Sequence, residues 1–166
     1  MEIEGSFTSN STGKDIRVVY KESDPLEDLD GKTLHSVHCF CFYKDKMVLV
    51  NHPRSGWVPL GGGIDGKETY EETVVREAKE ESNMEVIYQE LIGFQDSYGE
   101  DGTVRQTRSF CKVKPYGPFI NDPDGEIKEI KLINPKDYKK YFDWGEIGDR
   151  IMERAVDLNN IENTPG

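Results

Sequence analysis

Residues 62–84, GGIDGKETYEETVVREAKEESNM, constrain the fold and chemistry of this chain more than any other segment. They predict a helix over residues 69–82, because Thr69 followed three residues later by Glu72 forms a capping box. At about 100° per residue, three glutamates near its end share one face: Glu77, Glu80 and Glu81. The helix dipole and an i,i+4 like-charge repulsion of about 0.2–0.5 kcal/mol both disfavour this arrangement. Carboxylates gathered where they repel one another are typical of a divalent-cation site.

The spacing of this segment resembles the Nudix box, G-x5-E-x7-R-E-U-x-E-E-x-G-U, of the Nudix (MutT-like) hydrolases. The matching positions are Gly62, Glu68, Arg76, Glu77, Ala78, Glu80, Glu81 and Met84. The departure is Asn83, where the family has glycine. We expect a left-handed residue that closes the helix there, and asparagine is the next-best residue for that conformation. Asn83 is therefore interpreted as a tolerated replacement.

The apolar pattern of the rest of the chain predicts several strands and a second helix. The strands are expected at residues 16–20, 36–43, 47–50, 85–94, 104–113 and 127–133. Residues 145–158 predict a helix, since apolar residues recur there at helical spacing. This order suggests an α/β fold, and the resemblance implies a Nudix-type α/β/α sandwich with a mixed central sheet.

The expected domain organisation is one Nudix hydrolase domain over residues 15–159, a size that can bury a core. Residues 1–14, rich in Ser, Thr and Asn, predict a flexible lead-in, and residues 160–166 predict a frayed end.

The charge and cysteine content restrict partners and location. A net charge of −11 argues against general binding to nucleic-acid backbones, which needs clustered Lys and Arg. No apolar run is long enough for a membrane span, and the polar N-terminus is unlike a signal peptide. Three cysteines, an odd number, suggest a reducing compartment, so we expect a cytoplasmic protein.

The resemblance implies a role for each box residue. Glu77, Glu80 and Glu81 would hold Mg²⁺ or Mn²⁺ and serve catalysis, with a backbone carbonyl near Gly62 as a further ligand. Glu81 is the first choice for the strongest ligand, since it lies one turn beyond Glu77. A Glu68–Arg76 pair would anchor the loop to the helix. Divalent ions neutralise the repelling oxygens of a pyrophosphate link and lower the pKa of bound water.

The general base and the phosphate-binding residues are less clearly marked. Glu126, after a Pro/Gly/Asp-rich loop, is the candidate base, with Glu129 and Glu100 as alternatives. Arg54, just before Trp57, is a candidate for binding a substrate phosphate.

Other interpretations of these segments are weaker. Gly61-x4-Gly66-Lys67 approaches a P-loop, but Glu68 stands where that motif needs Ser or Thr. A zinc site is disfavoured because a second ligand pair is missing and alternation turns one member away; the candidates are His35, His38, Cys39 and Cys41. Four strand aromatics are interpreted as core rather than as base-stacking residues, namely Phe40, Phe42, Tyr98 and Phe110.

The predicted function is metal-dependent hydrolysis of a nucleoside diphosphate linked to another group. A nucleoside triphosphate, including an oxidised one, is the leading substrate and would yield a monophosphate and pyrophosphate. ADP-ribose and dinucleoside polyphosphates are alternatives, and a non-catalytic Nudix-fold module that binds a nucleotide is another. Many relatives dimerise, so the resemblance allows a homodimer.

Overall fold

The computed structural model describes residues 1–9, 12–117 and 129–162. Its strands are β1 (Glu2–Thr8), β2 (Asp15–Lys21), β3 (Lys32–Tyr43), β4 (Lys46–His52), β5 (Gly56–Val58), β6 (Leu60–Gly63), β7 (Met84–Gly99), β8 (Gly102–Pro115) and β9 (Ile130–Ile133). The helices are α1 (Tyr70–Ser82), a 3-10 helix (Pro135–Lys140) and α2 (Gly145–Glu162).

The described strands form one sheet in the order β1-β2-β7-β8-β3-β4-β5, with β6 paired to β3 and β9 to β4. β3 and β8 run parallel, whereas the other pairs are antiparallel, so the prediction of a mixed sheet is confirmed. The parallel pair is central, and it brings β8 beside the strand that carries β6 and the box loop.

The alternation of β3 divides the core into two layers. Val37, Cys39 and Cys41 pack with Val74 and Ala78 of α1. The neighbouring residues on the other face of β3 pack with α2, among them Phe40 and Phe42. Side chains of successive strand residues point to opposite faces, so one fully covered strand supports a helix on each side. The predicted α/β/α sandwich is confirmed.

The cysteines and most of the strand aromatics are buried in the core. Cys39, Cys41 and Cys111 are free and completely buried on the α1 side of the sheet. Phe40, Phe42 and Phe110 are core residues as expected. Tyr98 differs from the prediction, because it is 36% exposed and lies beneath the guanidinium of Arg17, 4.9 Å from its ring centroid.

Helix α1 begins and ends as its sequence predicts. The Thr69 side chain accepts from the Glu72 N–H at 3.1 Å, and the Glu72 carboxylate accepts from the Thr69 N–H at 3.0 Å. Asn83 ends the helix in the left-handed conformation with φ 54° and ψ 41°. Its N–H bonds back to carbonyls of the last turn, so asparagine performs the closing role that glycine has in the box.

Regular secondary structure extends into both terminal segments of the described chain. Residues 2–8, expected to be a flexible lead-in, form β1 along β2. Most β1 side chains are exposed, so backbone pairing and the Glu4–Arg17 ion pair hold the strand. Helix α2 continues through Glu162 rather than fraying from residue 160. Among the described residues, no helix is both long and apolar enough to cross a membrane.

Candidate functional site

The buried face of α1 presents two of the three box carboxylates to strand β6. Glu77 is 9% exposed and Glu81 is 7% exposed, whereas Glu80 lies on the flank and is half-buried. The repeat of the helix places Glu77 and Glu81 one turn apart on the same side. Two carboxylates are thus held against the sheet, where solvent screens them poorly.

The glycines of β6 let the backbone approach these carboxylates. The Gly61 N–H donates to Glu81 Oε1 at 2.8 Å. A Cβ at Gly62 would lie only 2.2 Å from Glu77 Oε1, so any larger residue would displace that carboxylate. Glycine at position 62 is therefore required by the space that Glu77 occupies.

Arg76 ties the box loop to the helix, as the resemblance implies. Its guanidinium donates to both oxygens of Glu68, at 2.7 and 3.0 Å, and to the Gly63 carbonyl at 2.9 Å. Glu68 also accepts from the Asp65 N–H and the Thr73 hydroxyl. The hydrogen bond from Arg76 is the main cause that lowers the pKa of Glu68 to about 2. Glu68 and Arg76 therefore hold the loop in place.

The same arginine holds two of the candidate metal ligands. Arg76 Nη1 donates to Glu77 Oε1 at 2.9 Å and to Glu80 Oε2 at 3.2 Å. Glu81 instead accepts from the Gly61 N–H. Within the described part of the chain, no three His, Cys, Asp or Glu side chains are arranged around a common point that a metal could occupy. The structure thus places the three glutamates beside one another, with Glu77 and Glu80 held by Arg76.

The donor set nevertheless suits a hard divalent cation. Every candidate ligand is an oxygen, which is what Mg²⁺ and Mn²⁺ prefer. The absent side chain of Gly62 keeps the backbone in contact with Glu77, and Glu80 is held by a single 3.2 Å bond. Glu77, Glu80, Glu81 and the backbone near Gly62 would hold the cation.

A cleft opens beside this cluster. One cavity, of about 400 Å³, is lined by Glu81, Gly61 and Gly62 and extends to His38 and Trp144. A second cavity, of about 700 Å³, shares His38, Ser55 and Trp144 with the first and continues beneath α2. The cleft therefore runs from the box carboxylates to the opposite layer of the sandwich.

Comparison with known families assigns the chain. Residues 32–155 match the family model of the NUDIX domain, which is most of the chain. The chain belongs to the Nudix family. The prediction of a Nudix hydrolase that acts on phosphoric anhydride bonds is confirmed at the level of this family, whose enzymes generally use divalent metals.

Solved structures agree with the Nudix fold. The pyrophosphohydrolase BsRppH of Bacillus subtilis aligns with a TM-score of 0.67 and 19% identity, covering 95% of this chain and 96% of its own. A NUDIX-family hydrolase from Clostridium perfringens gives 0.53 and 23% identity, with coverages of 77% and 97%. The NUDIX domain of Shewanella oneidensis NrtR, crystallised with ADP ribose, gives 0.58 and 20% identity, with coverages of 74% and 86%. Among curated proteins, none has a matching sequence.

The two candidate general bases among the described residues, Glu129 and Glu100, lie apart from the Nudix box contacts. Glu126 lies outside the described residues. Glu129 is exposed beside β9 and accepts from the Asn51 side chain at 3.2 Å. Glu100, in the β7–β8 turn, forms an ion pair with Lys14. Neither described candidate lines the two cavities of the cleft.

Arg54 is exposed in the turn between β4 and β5. Its backbone N–H donates to His52 Nδ1 at 3.2 Å, and its neighbour Ser55 lines both cavities. The turn is thus at the mouth of the cleft, which keeps Arg54 a candidate for a substrate phosphate.

The cleft contains residues that the sequence did not single out as a site. Trp144 precedes α2 and lines both cavities, and Arg108 lies inside a strand. His38, one of the four residues considered for a zinc site, also lines both cavities and is only partly buried. The available signal was a charged residue inside the strand predicted at residues 104–113, since charged groups are seldom buried without a partner.

Proposed function

We propose that this Nudix protein is a metal-dependent pyrophosphohydrolase that cleaves nucleoside diphosphates linked to another group. The leading substrate is a nucleoside triphosphate, oxidised forms included, which would be cut to a monophosphate and pyrophosphate. The observation that carries the proposal is the contact between Glu77, Glu81 and the glycine backbone of β6 at one end of a cleft.

In this proposal some box residues bind the metal ion and others keep the box loop in position. Mg²⁺ or Mn²⁺, when bound, would neutralise the diphosphate oxygens and lower the pKa of the attacking water. Glu77, Glu80 and Glu81 supply the oxygen donors for that ion. Glu80 also accepts a hydrogen bond from Arg76, so it would leave Arg76 when it binds the ion. The bidentate pair with Glu68 would then keep Arg76 in place.

Glu81 is the central residue of the proposal. It is buried, it lines the cavity of about 400 Å³, and its hydrogen bond from the Gly61 N–H fixes one carboxylate oxygen. A carboxylate oriented in this way loses little side-chain freedom when it binds a ligand, which favours a strong metal site. Arg54 would meet the phosphates at the mouth of the cleft.

The test is the Glu81→Gln variant, assayed with Mg²⁺ and Mn²⁺ on a panel of nucleotides for phosphate release after coupling to pyrophosphatase and phosphatase. We expect kcat to fall at least about 10²-fold, because a positioned catalytic group is lost. Glu71→Gln, an exposed position in the first turn of the same helix, is the matched control and should keep full activity. Equal turnover by the two variants would remove Glu81 from the mechanism.

A nucleotide-binding module without catalysis is the second candidate. The observation that favours it is the similarity in fold to the NrtR NUDIX domain, which was crystallised with ADP ribose. Calorimetry with ADP-ribose in Mg²⁺, followed by product analysis, separates the candidates. Binding without products would support the module, whereas conversion to monophosphates would support an ADP-ribose hydrolase.

A further inference from the structure

Strand β8 buries an arginine that the Nudix box does not use. Arg108 is only 3% exposed, and its guanidinium donates one long hydrogen bond, from Nη1 to the Thr107 carbonyl at 3.3 Å. A guanidinium has five donor hydrogens and no acceptor, and in Arg108 the Nε donor is buried without a hydrogen-bond partner in the described chain. A cation retained at such a cost points to a ligand that supplies acceptors.

No described carboxylate neutralises this arginine. Burial lowers the pKa of Arg108 to about 10, which still leaves it charged at neutral pH. Two of the three acidic residues that line the surrounding cavity have other partners. Glu4 accepts from Arg17 at 2.7 Å, and Asp143 accepts from the Gly145 N–H at 3.0 Å. Within the described chain, the Thr107 carbonyl is thus the one acceptor that is hydrogen-bonded to Arg108.

Arg108 lies in the wall of the cavity of about 700 Å³, a volume within the usual range of ligand sites. Gln95 and Gln106 pair across β7 and β8 in the same wall, and neither amide is hydrogen-bonded within the described residues. The Trp144 ring centroid is 5.9 Å from the Arg108 guanidinium carbon and 5.2 Å from the His38 ring centroid. The cavity thus combines one donor-only group, two amides and an aromatic surface.

We propose that this cavity binds the base of the substrate and that Arg108 selects a 6-oxopurine, a guanine-type base. The inference rests on the proposed function. The two cavities share His38, Ser55 and Trp144, so a base in the larger cavity lies within reach of a diphosphate bound at the box. O6 and N7 of a 6-oxopurine both accept hydrogen bonds from one guanidinium, whereas adenine presents the N6 donor at that edge.

The surroundings favour a neutral base over a second phosphate. Trp144 offers a stacking surface, and bases stack on aromatic side chains. Three carboxylates line the same cavity, and they repel an anionic group that enters: Glu4, Asp143 and Glu146. The glutamine amides are able to donate and accept, as the remaining edge of a purine requires.

The first experiment measures kcat/KM for GTP, ITP and ATP in Mg²⁺ with the wild-type protein and the Arg108→Met variant. We expect the wild type to prefer GTP and ITP over ATP by about 10- to 100-fold, the effect of one bidentate contact. Arg108→Met should lose that preference through slower use of GTP and ITP, with ATP little changed. Arg150→Met is the matched control and should keep the preference, since Arg150 pairs with Glu22 and Glu153 and lines neither cavity of the cleft. An unchanged GTP-to-ATP ratio in Arg108→Met would overturn the inference.

The second experiment separates this inference from the proposed hydrolysis. Guanosine, adenosine and pyrophosphate are titrated into the Glu81→Gln protein with and without Arg108→Met, and tryptophan fluorescence reports contact with Trp144. Quenching by guanosine that requires Arg108 supports the base site, even if no nucleotide is turned over and the proposed hydrolysis fails. Pyrophosphate binding that requires Arg108, without guanosine binding, would show an anion site and overturn the inference.

Discussion

Arginine has opposite surroundings on the two faces of the sheet. On the α1 face, Arg76 is bound to three carboxylates and a carbonyl, and these contacts raise its pKa. On the α2 face, Arg108 makes one hydrogen bond to the described residues, and burial lowers its pKa. Arg105, three residues away on β8, provides the internal reference. It is equally buried, yet it forms a bidentate pair with Asp96 at 2.7 and 3.0 Å.

Arg76 and Arg105 thus stabilise the framework through ion pairs, whereas Arg108 has the surroundings of a ligand-binding residue. Arg105 also donates to carbonyls of the 25–28 segment, so its cation joins β7 to the loop before β3. Removal of one partner of a buried pair is costly, whereas replacement of an uncompensated buried charge by an apolar group costs little. The faces should therefore respond differently to the same substitution.

The largest effect is expected from Arg105→Met compared with Arg108→Met. Arg105→Met should lower the free energy of unfolding by about 3–5 kcal/mol, because Asp96 stays buried with Lys32 as its remaining cation among the described residues. Arg108→Met should be within about 1 kcal/mol of the wild type or more stable. Urea unfolding of the three proteins, followed by circular dichroism, measures both. A comparable loss in Arg108→Met would mean that Arg108 is a framework residue and would remove the contrast.

The sequence was most informative at α1, where the function depends on local spacing. The capping box, the left-handed Asn83 and the Glu68–Arg76 pair all involve residues close in sequence, and all are present as predicted. The two-layer core was also predictable, since the alternation of β3 shows which residues face each side. Local spacing and apolar periodicity encode these features, and a single sequence displays both.

Long-range pairing accounts for what the sequence did not reveal. Strand β1 has few buried side chains and depends on its backbone bonds to β2. The cleft joins β3, β8 and the segment before α2, which are distant in sequence, so Arg108 and Trp144 had no common motif. Sequence spacing also failed to show that Glu77 and Glu80 both turn towards Arg76, because side-chain orientation is set by the nearest donors.

A smaller effect is expected from Arg76→Met on the α1 face. The variant should lose about 1–3 kcal/mol of stability, since several charge-assisted bonds are removed from a partly exposed site. Arg76→Lys should restore only part of this, because an ammonium group lacks the planar fork that binds Glu68 through both oxygens. Thermal unfolding of both variants provides the measurement.

Thr69→Ala is the control for helix stability in that series. It should cost about 1 kcal/mol through loss of the N-cap, while it leaves the carboxylate contacts of Arg76 intact. Its activity per folded molecule should therefore equal that of the wild type, whereas Arg76→Met should be less active because Glu77 and Glu80 lose their positioning partner. Equal activity of Arg76→Met and Thr69→Ala would limit Arg76 to a role in stability.

The smallest effect concerns acid pH and again distinguishes the two faces. The pKa of Glu68 is lowered from 4.5 to about 2, chiefly by the hydrogen bond from Arg76. A carboxylate with a depressed folded-state pKa contributes stability that is complete above its unfolded pKa and is lost as pH falls. The stability gap between wild type and Glu68→Gln should therefore shrink from pH 4.5 towards pH 2. The gap between wild type and Arg108→Met should stay constant over this range, because no described carboxylate pairs with Arg108. Urea titrations at half-unit pH intervals measure both stability differences. A difference between wild type and Arg108→Met that changes with pH would reveal a carboxylate partner of Arg108 and contradict the contrast between the faces.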